Sequence, residues 1–180
     1  DILRAEVRSF ASEFIYRKIA LDFTPTGKAV LTDRKWLGFV IGQVLSNALK
    51  YTREGKISVF MSPPDTLCVR DTGIGIAPED LPRVFDHGYT GLNGREDKRA
   101  TGLGLYLCKR VLDQLGHTIV IASELFGGKL GYAGKTCDLH CSVHFSAPLF
   151  GQERPHSLKQ LCVAAGAALT RQHAAYFFQH

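Results

Sequence analysis

The chain has 180 residues, of which 45% are hydrophobic and 22% are charged, a composition typical of a folded globular protein. This length fits one domain with a core of its own. The formal net charge of +5 is compatible with an anionic ligand. We expect no nucleic-acid partner, because neither a basic patch nor a motif that reads bases accompanies that charge.

Two further properties of the composition bear on where the chain works. No hydrophobic run approaches the roughly 20 residues that a membrane-spanning helix needs, and no signal peptide opens the sequence. The five irregularly spaced cysteines indicate reduced thiols and a cytosolic setting.

The first third of the chain is predicted to form a helix, a hairpin and a second, central helix. Residues 3–19 repeat apolar side chains at helical spacing. The segments 19–23 and 29–33 are predicted to pair as a hairpin with its turn at Pro25 to Lys28. The central helix is predicted over Trp36 to Tyr51, with Asp33 as its N-cap and Gly55 marking its end.

The central helix has a polar face beside an apolar stripe. At about 100° per residue, four polar side chains share one side of it: Gln43, Asn47, Lys50 and Tyr51. The neighbouring stripe consists of Leu37, Ile41, Val44, Leu45 and Ala48. For the helix alone, a solvated polar face is the simpler interpretation, and the wall of a ligand site is the alternative.

The rest of the chain alternates strands with glycine-containing turns. Residues 56–61 and 66–71 are predicted as a second hairpin, which leaves Asp71 at the end of a strand. A short helical patch at 81–85 precedes a loop at 86–100, whose length is typical of a functional or disordered segment. A helix starts directly from the glycine turn at 101–107, and strands follow at 117–123 and 135–148. Residues 151–180 differ in composition and are predicted to contain a helix from Ser157 onward.

Three motif-like patterns are weaker than they look. Neither glycine turn has the third glycine of a dinucleotide-binding fingerprint, and the P-loop-like end at 134–136 has Lys129 where the leading glycine should be. A zinc site from Cys137, Cys141, His140 and His144 is not expected. Along a strand the two cysteines lie about 13 Å apart and the histidines face the other way.

Four motifs in order carry a resemblance to a known family. They are SNALKYT (46–52), DTGIGI (71–76), LPRVFD (81–86) and, after a loop, TGLGLYL (101–107). Together they resemble the ATP-binding catalytic domain of bacterial sensor histidine kinases, whose fold is shared with gyrase, Hsp90 and MutL. The resemblance covers about residues 1–125 well, and the last strand more loosely. The FIYRKI lead-in and the central helix look closest to the short-sensor kinases of Gram-positive responses to bacitracin and similar peptides.

This resemblance implies a fold and a division of the chain. The fold would be α+β, a two-layer α/β sandwich of the Bergerat ATP-binding type, with a mixed, mostly antiparallel sheet covered on one face by helices. The catalytic, ATP-binding domain would occupy residues 1–150. Residues 151–180 would be a C-terminal extension of unknown role.

The resemblance also implies a nucleotide site for ATP and Mg²⁺. Asn47 would be the magnesium ligand, Lys50 would reach a phosphate, and Tyr51 would pack near the adenine. The full set of implied nucleotide contacts is Asn47, Lys50, Tyr51, Asp71, Gly73, Gly75, Ile76, Phe85, Thr101, Gly102, Leu103, Gly104, Leu105 and Thr136. Simple core packing is the alternative for Phe85.

Asp71 is expected to select the base. Its carboxylate can accept a hydrogen bond from the amino group of adenine, whereas guanine presents a carbonyl there. Leaving the buried carboxylate unpaired costs about 1–3 kcal/mol or more, enough to favour ATP over GTP. The alternative is that Asp71 only starts an Asx turn.

The loop at 86–100 would be a lid over the nucleotide. Arg95, Lys98 and Arg99 are candidates for contacts to the terminal phosphate, and a solvated charged loop is the alternative. The glycines at 102 and 104 precede a helix, and the free N–H groups at a helix N-terminus favour phosphate.

The implied reaction is phosphoryl transfer from ATP to a histidine, and then to a response regulator. The acceptor histidine would lie on a dimerisation domain that this chain does not contain. The candidate catalytic residues are Lys50, Gln43, Arg95 and Lys98. Gln43 stands where ATP-hydrolysing relatives use Glu, and an amide cannot act as a general base, so we expect feeble hydrolysis.

The partners and the alternatives follow from the same resemblance. The full protein would be a cell-membrane sensor with this piece in the cytoplasm, and an ABC transporter is a possible partner. A non-catalytic ATP-sensing module of the same fold is the main alternative. An anti-sigma-type serine kinase is a third, against which the central helix and the FIYRKI lead-in argue.

Overall fold

The computed structural model describes residues 2–91, 100–124 and 138–145. The helices are α1 (Ile2–Ser9), α2 (Ala11–Arg17), α3 (Arg34–Tyr51), a short 3₁₀ turn (Leu81–Arg83) and α4 (Gly104–Leu115). The strands are β1 (Ala20–Phe23), β2 (Lys56–Ser62), β3 (Thr66–Asp71), β4 (Thr118–Glu124) and β5 (Asp138–His144). None of the described helices is long and apolar enough to cross a bilayer.

The five strands form one sheet in the order β1-β2-β3-β5-β4. β1 pairs with β2 in parallel, and every other pair is antiparallel. The last of the described strands, β5, therefore lies between two earlier ones. The predicted mixed, mostly antiparallel sheet and the α+β class are confirmed.

One face of the sheet is buried against α3 and α4. The pairing aligns Val59, Val69, Cys141 and Ile121 across four neighbouring strands, and the first three of them are at least 93% buried. Side chains alternate between the two faces of a strand, so this row points into the core. α3 supplies Val40, Leu45 and Leu49, which are completely buried, and α4 supplies Leu107, Cys108, Val111 and Leu112.

The predictions for the central helix and the middle hairpin are largely confirmed. α3 starts two residues earlier than expected, and the Asp33 carboxylate caps it by accepting from the backbone N–H groups of Lys35 at 2.9 Å and Trp36 at 3.1 Å. The helix ends at Tyr51, as predicted, with Thr52 as its C-cap. Strands β2 and β3 match the predicted hairpin, and Asp71 is the last residue of β3.

The predicted N-terminal hairpin is wrong. Only residues 20–23 form a strand, and this strand pairs with β2, more than 30 residues further along the chain, instead of with 29–33. A parallel pair needs a crossover connection, and α3 supplies it. The predicted single helix over 3–19 is two helices, because the chain turns at Phe10 and Lys18 ends α2 in a left-handed conformation with φ 56°.

The remaining elements differ from the predictions mainly in the residues at which they begin and end. The predicted helical patch at 81–85 is a 3₁₀ turn of three residues. Residues 138–144 of the last predicted strand form a strand, and 135–137 and 146–148 lie outside the described residues. The predicted helix from Ser157 onward lies outside the described residues, as does the whole of 151–180.

Candidate nucleotide-binding site

A cavity of about 360 Å³ lies between α3, the turn after β3, the start of α4 and the buried face of the sheet. Its size is within the range of small-molecule sites. Of the residues predicted to contact a nucleotide or to act in catalysis, twelve line it: Gln43, Asn47, Lys50, Tyr51, Asp71, Gly75, Ile76, Thr101, Gly102, Leu103, Gly104 and Leu105.

The polar face of α3 forms one wall of the cavity. Gln43, Asn47, Lys50 and Tyr51 all line it, together with Ser46. Gln43 is only 8% exposed, and the Lys50 ammonium lies 5.0 Å from the centre of the Tyr51 ring. This face of α3 borders a cavity inside the domain, which favours the wall of a ligand site over a simple solvated helix face.

Asp71 is buried at the edge of this cavity. Its side chain is 3% exposed, and its Oδ1 accepts from the backbone N–H of Gly73 at 2.9 Å and from the Thr52 hydroxyl at 3.4 Å. The first contact is an Asx turn, so that alternative is correct as local geometry. It does not replace the ligand hypothesis, since Asp71 also lines the cavity.

The turn after Asp71 needs glycine for two different reasons. A Cβ on Gly73 would lie 2.6 Å from the Tyr51 carbonyl oxygen and from Asp71 Oδ1, so no side chain fits there. Gly75 has φ 70°, which side-chain-bearing residues rarely adopt. Gly73 itself does not line the cavity. It lets the turn pack against the end of α3, where the Ile74 N–H donates to the Tyr51 carbonyl at 3.1 Å.

The apolar floor of the cavity consists of four residues that the sequence did not identify: Val69, Ile121, Leu139 and Cys141. Burial, followed by the nearby charge of Asp71, raises the pKa of the Cys141 thiol to about 12. Cys141 is therefore a neutral thiol at physiological pH and acts as an apolar surface. The strict alternation along 137–145 was a usable signal for this floor, because it places Leu139 and Cys141 on the same face of the strand.

The second glycine turn, which precedes α4, also borders the cavity. Gly102 has φ 66°, and a Cβ there would lie 2.4 Å from the carbonyl carbon of Gly88. α4 begins at Gly104, and its N-cap residue Leu103 supplies no side-chain cap. The N–H groups of the first turn of α4 are thus at the cavity, where an anion is favoured. A Cβ on Gly104 would lie 2.7 Å from Gln43 Oε1, so α3 and α4 approach closely here.

The described start of the predicted lid is held at the rim. The Tyr89 hydroxyl donates to Asp80 Oδ1 at 2.5 Å, and the Arg83 guanidinium lies 4.3 Å from the centre of the Tyr89 ring. Asp80 and Tyr89 both line the cavity. Sequence reasoning missed them because their contact joins residues nine positions apart in a segment without regular periodicity.

Some predicted site residues are not placed at the cavity. Phe85 is partly buried and packs against the hydrophobic core, as the alternative for it proposed, and it does not line the cavity. Arg95, Lys98, Arg99 and Thr136 lie outside the described residues.

Comparisons with known proteins agree with this geometry. Residues 32–148 match the family described as histidine kinase-, DNA gyrase B- and HSP90-like ATPase. The chain is 41% identical over 131 residues to the sensor histidine kinase YxdK of Bacillus subtilis (strain 168), an alignment that covers 69% of this chain and 40% of YxdK. It is 40% identical over 126 residues to the sensor protein BceS of the same strain, covering 68% of this chain and 38% of BceS.

A solved structure shares the fold. The mycobacterial sensor histidine kinase MprB superposes with a TM-score of 0.62 at 20% identity, covering 82% of this chain and 95% of that one. The chain spans about 40% of the length of the two Bacillus relatives, and the predicted resemblance to Gram-positive sensor kinases is confirmed by them. The chain therefore belongs to the family of histidine kinase-, DNA gyrase B- and HSP90-like ATPases, and its domain is an ATP-binding domain of the sensor histidine kinase type.

Proposed function

We propose that this domain binds ATP with Mg²⁺ and donates the γ-phosphoryl group to a histidine on a separate dimerisation domain, for relay to a response regulator. One observation carries the proposal. A single cavity joins a buried carboxylate, Asp71, to the N-terminus of α4 and to the amide and ammonium groups of α3. The carboxylate suits a base, the helix N-terminus and the ammonium suit a phosphate chain, and the amide oxygen suits a hard cation.

The base would bind at the Asp71 end. The Asp71 carboxylate lies beside an apolar floor, so it can accept a hydrogen bond while the ring packs against aliphatic side chains. Gly73 and Gly75 keep the backbone of the turn close to the base. Tyr51, the last residue of α3, also lines the cavity and would pack near the adenine ring.

The phosphates would bind at the other end. The backbone N–H groups from Gly102 to Leu105 favour negative charge at the start of α4, and the Lys50 ammonium can reach a phosphate as a point charge. Asn47 fits a magnesium ligand, because it offers a half-buried carbonyl oxygen on the cavity wall. Mg²⁺ prefers oxygen donors and needs few from the protein when phosphates and water supply the rest.

The transfer step would rest on positioning and charge neutralisation, as is general for phosphoryl transfer. Lys50 would neutralise charge on the phosphate chain, and Arg95 and Lys98 remain proposed contacts to its terminal group. Gln43 cannot remove a proton from water, so hydrolysis would be slow. This favours transfer to a protein acceptor over turnover with water.

The remaining partners and the setting are proposals that rest on the relatives. YxdK and BceS are sensor proteins by name, which supports a cell-membrane protein with this domain in the cytoplasm. An ABC transporter partner and the boundary between residues 1–150 and 151–180 are proposed on the resemblance alone. Thr136 is proposed as a further contact near the adenine.

The experiment that tests the proposal is transfer in trans. The chain is incubated with γ-labelled ATP, Mg²⁺ and a purified dimerisation domain that carries its histidine. Label on that histidine is the expected result, and it should be absent for the Asn47→Ala variant and for an acceptor in which histidine is replaced by glutamine. Binding of ATP without any transfer would contradict the kinase and favour the non-catalytic ATP-sensing module.

A further inference from the structure

The part of the turn from Gly73 to Ile76 is held by three hydrogen bonds that its own backbone donates. Two of them were described above, the bond from Gly73 to Asp71 and the bond from Ile74 to Tyr51. The third bond reaches a distant part of the chain: the backbone N–H of Ile76 donates to the Ser123 hydroxyl oxygen at 2.9 Å. Ser123 lies in β4, at one edge of the sheet that the described strands form, with β5 between it and β3.

The position of Ser123 in its strand is unusual for a polar residue. Ile119 and Ile121 precede it on the same face, and both pack into the core. Alternation therefore places Ser123 where a third aliphatic side chain would continue the row. The register explains why a hydroxyl occupies this position instead. Ser123 lies opposite Leu139, and Leu139 lies opposite Asp71, so Ser123 is level with the point where β3 ends and the turn begins.

The Ile76 end of the turn depends on this contact. Ile76 follows Gly75, a residue with positive φ and wide conformational freedom, and it lines the cavity. Without the serine oxygen, a half-buried N–H would lose its partner at a flexible position, which is unfavourable. Fixing Ile76 therefore fixes the part of the cavity wall that Ile76 forms.

We infer that Ser123 is a positioning residue for the base of the nucleotide: its hydroxyl orients Ile76 and thereby the wall of the base pocket. This inference rests on the proposed function, since it takes the ligand of the cavity to be ATP. Ser123 does not itself line the cavity, so it acts through the turn. Its effect should be confined to the base end and should leave the phosphate end unchanged.

The test is a set of titrations of the chain with ATP, ADP and adenosine. Ser123→Ala should weaken all three ligands by the same factor, about three- to tenfold, as expected for the loss of one hydrogen bond. Ser123→Thr retains the hydroxyl and should restore affinity. Ser123→Cys, nearly the same size as serine, provides a second loss variant. The matched control is Ser142→Ala, which removes a buried hydroxyl from neighbouring β5 that contacts His140 instead, and it should leave all three affinities unchanged.

A second readout separates positioning from a general loss of stability. Hydrogen exchange of the Ile76 amide should become faster in Ser123→Ala, while the exchange of amides in the centre of β3 stays the same. This measurement is made on the free chain and does not need a ligand. It therefore reports on the contact even when no nucleotide binds.

The outcomes distinguish the two proposals. Absence of ATP binding by the unaltered chain overturns the proposed function, whereas normal ATP binding by Ser123→Ala with unchanged Ile76 exchange overturns the role of Ser123. A loss of affinity for ATP and ADP without one for adenosine also overturns it, because the effect would then lie at the phosphates.

Discussion

The Gly88 amide donates to the Gly102 carbonyl oxygen at 3.2 Å, and the α-carbon of Gly102 faces the same backbone so closely that no Cβ fits between them. This contact joins the start of the proposed lid to the turn that opens α4. Both segments border the cavity, through residues 89–91 and 100–105. The shape of the phosphate end thus depends on a backbone-to-backbone approach that any side chain would break.

Replacing Gly102 with alanine should destabilise this turn and weaken nucleotide binding. The left-handed φ alone costs about 1–2 kcal/mol, and the overlap with Gly88 adds to it. Gly116→Ala is the matched control, because Gly116 has φ 75° but nothing within 4 Å of its missing Cβ. Urea unfolding should show a lower free energy of unfolding for both variants, with the larger decrease for Gly102→Ala. ATP titration should show a lower affinity for Gly102→Ala alone. Equal ATP affinities in the two variants would contradict the role assigned to the contact.

Asp71→Asn should reduce affinity for ATP by at least about tenfold and remove the preference over GTP, because the amide can present a donor where the carboxylate only accepts. Its oxygen can still accept from Gly73, so the unfolding midpoint should change little. Calorimetric titration with both nucleotides, with and without Mg²⁺, measures this. The control is Asp113→Asn, which alters an exposed carboxylate paired with Lys109. Unchanged selectivity in Asp71→Asn would exclude this carboxylate as the base-selecting group.

Gln43→Glu should raise the basal hydrolysis of ATP by at least about tenfold, since a carboxylate can take a proton from water and general bases contribute considerably more than that in favourable geometry. The new charge would lie beside the start of α4, which favours an anion. The release of phosphate from the isolated chain measures the rate. Gln114→Glu makes the same change on α4 away from the cavity and should have no effect. A rate that stays at the basal level in Gln43→Glu would mean that no water is positioned there.

The stability of the domain should fall as the pH drops below about 6.5. Burial lowers the pKa of His117 from its ordinary value of 6.5. Between the lowered pKa and 6.5 the unfolded chain binds a proton that the folded chain does not, so unfolding is favoured as the pH falls. His140 contributes with the same sign. Unfolding free energies measured from pH 7.5 to pH 5 should show a shallower fall in His117→Gln.

Thr32→Val is the comparison for that measurement. It removes the hydroxyl that lies 3.2 Å from His117 Nε2 but keeps the titrating ring, so it should lower stability throughout while the decrease with pH persists. An identical pH dependence in His117→Gln and the unaltered chain would refute the assignment to His117.

The sequence predicted the parts of the site that depend on local periodicity. The polar face of α3 follows from the helical repeat, and the place of Asp71 follows from a strand that ends in a glycine turn. The cap by Asp33 is equally local. These features involve residues within a few positions of one another, where pattern and structure are directly linked.

The features that the sequence did not predict all depend on pairing between distant segments. Residues 20–23 looked like half of a hairpin, but their partner is β2, and nothing in their own sequence identifies it. Ser123 meets Ile76 only because β5 lies between β3 and β4. Tyr89 meets Asp80 through a turn that has no periodic signal.

The place of β5 between β3 and β4 has a consequence for biosynthesis. β4 pairs only with β5 among the described strands, and β3 keeps an open edge until β5 arrives. The ribosome makes β5 last of these, so Leu139 and Cys141 complete the floor of the cavity only after every other wall residue described here has been synthesised. Binding that requires the complete floor therefore waits for this strand, and bound nucleotide would stabilise the domain from that stage onward.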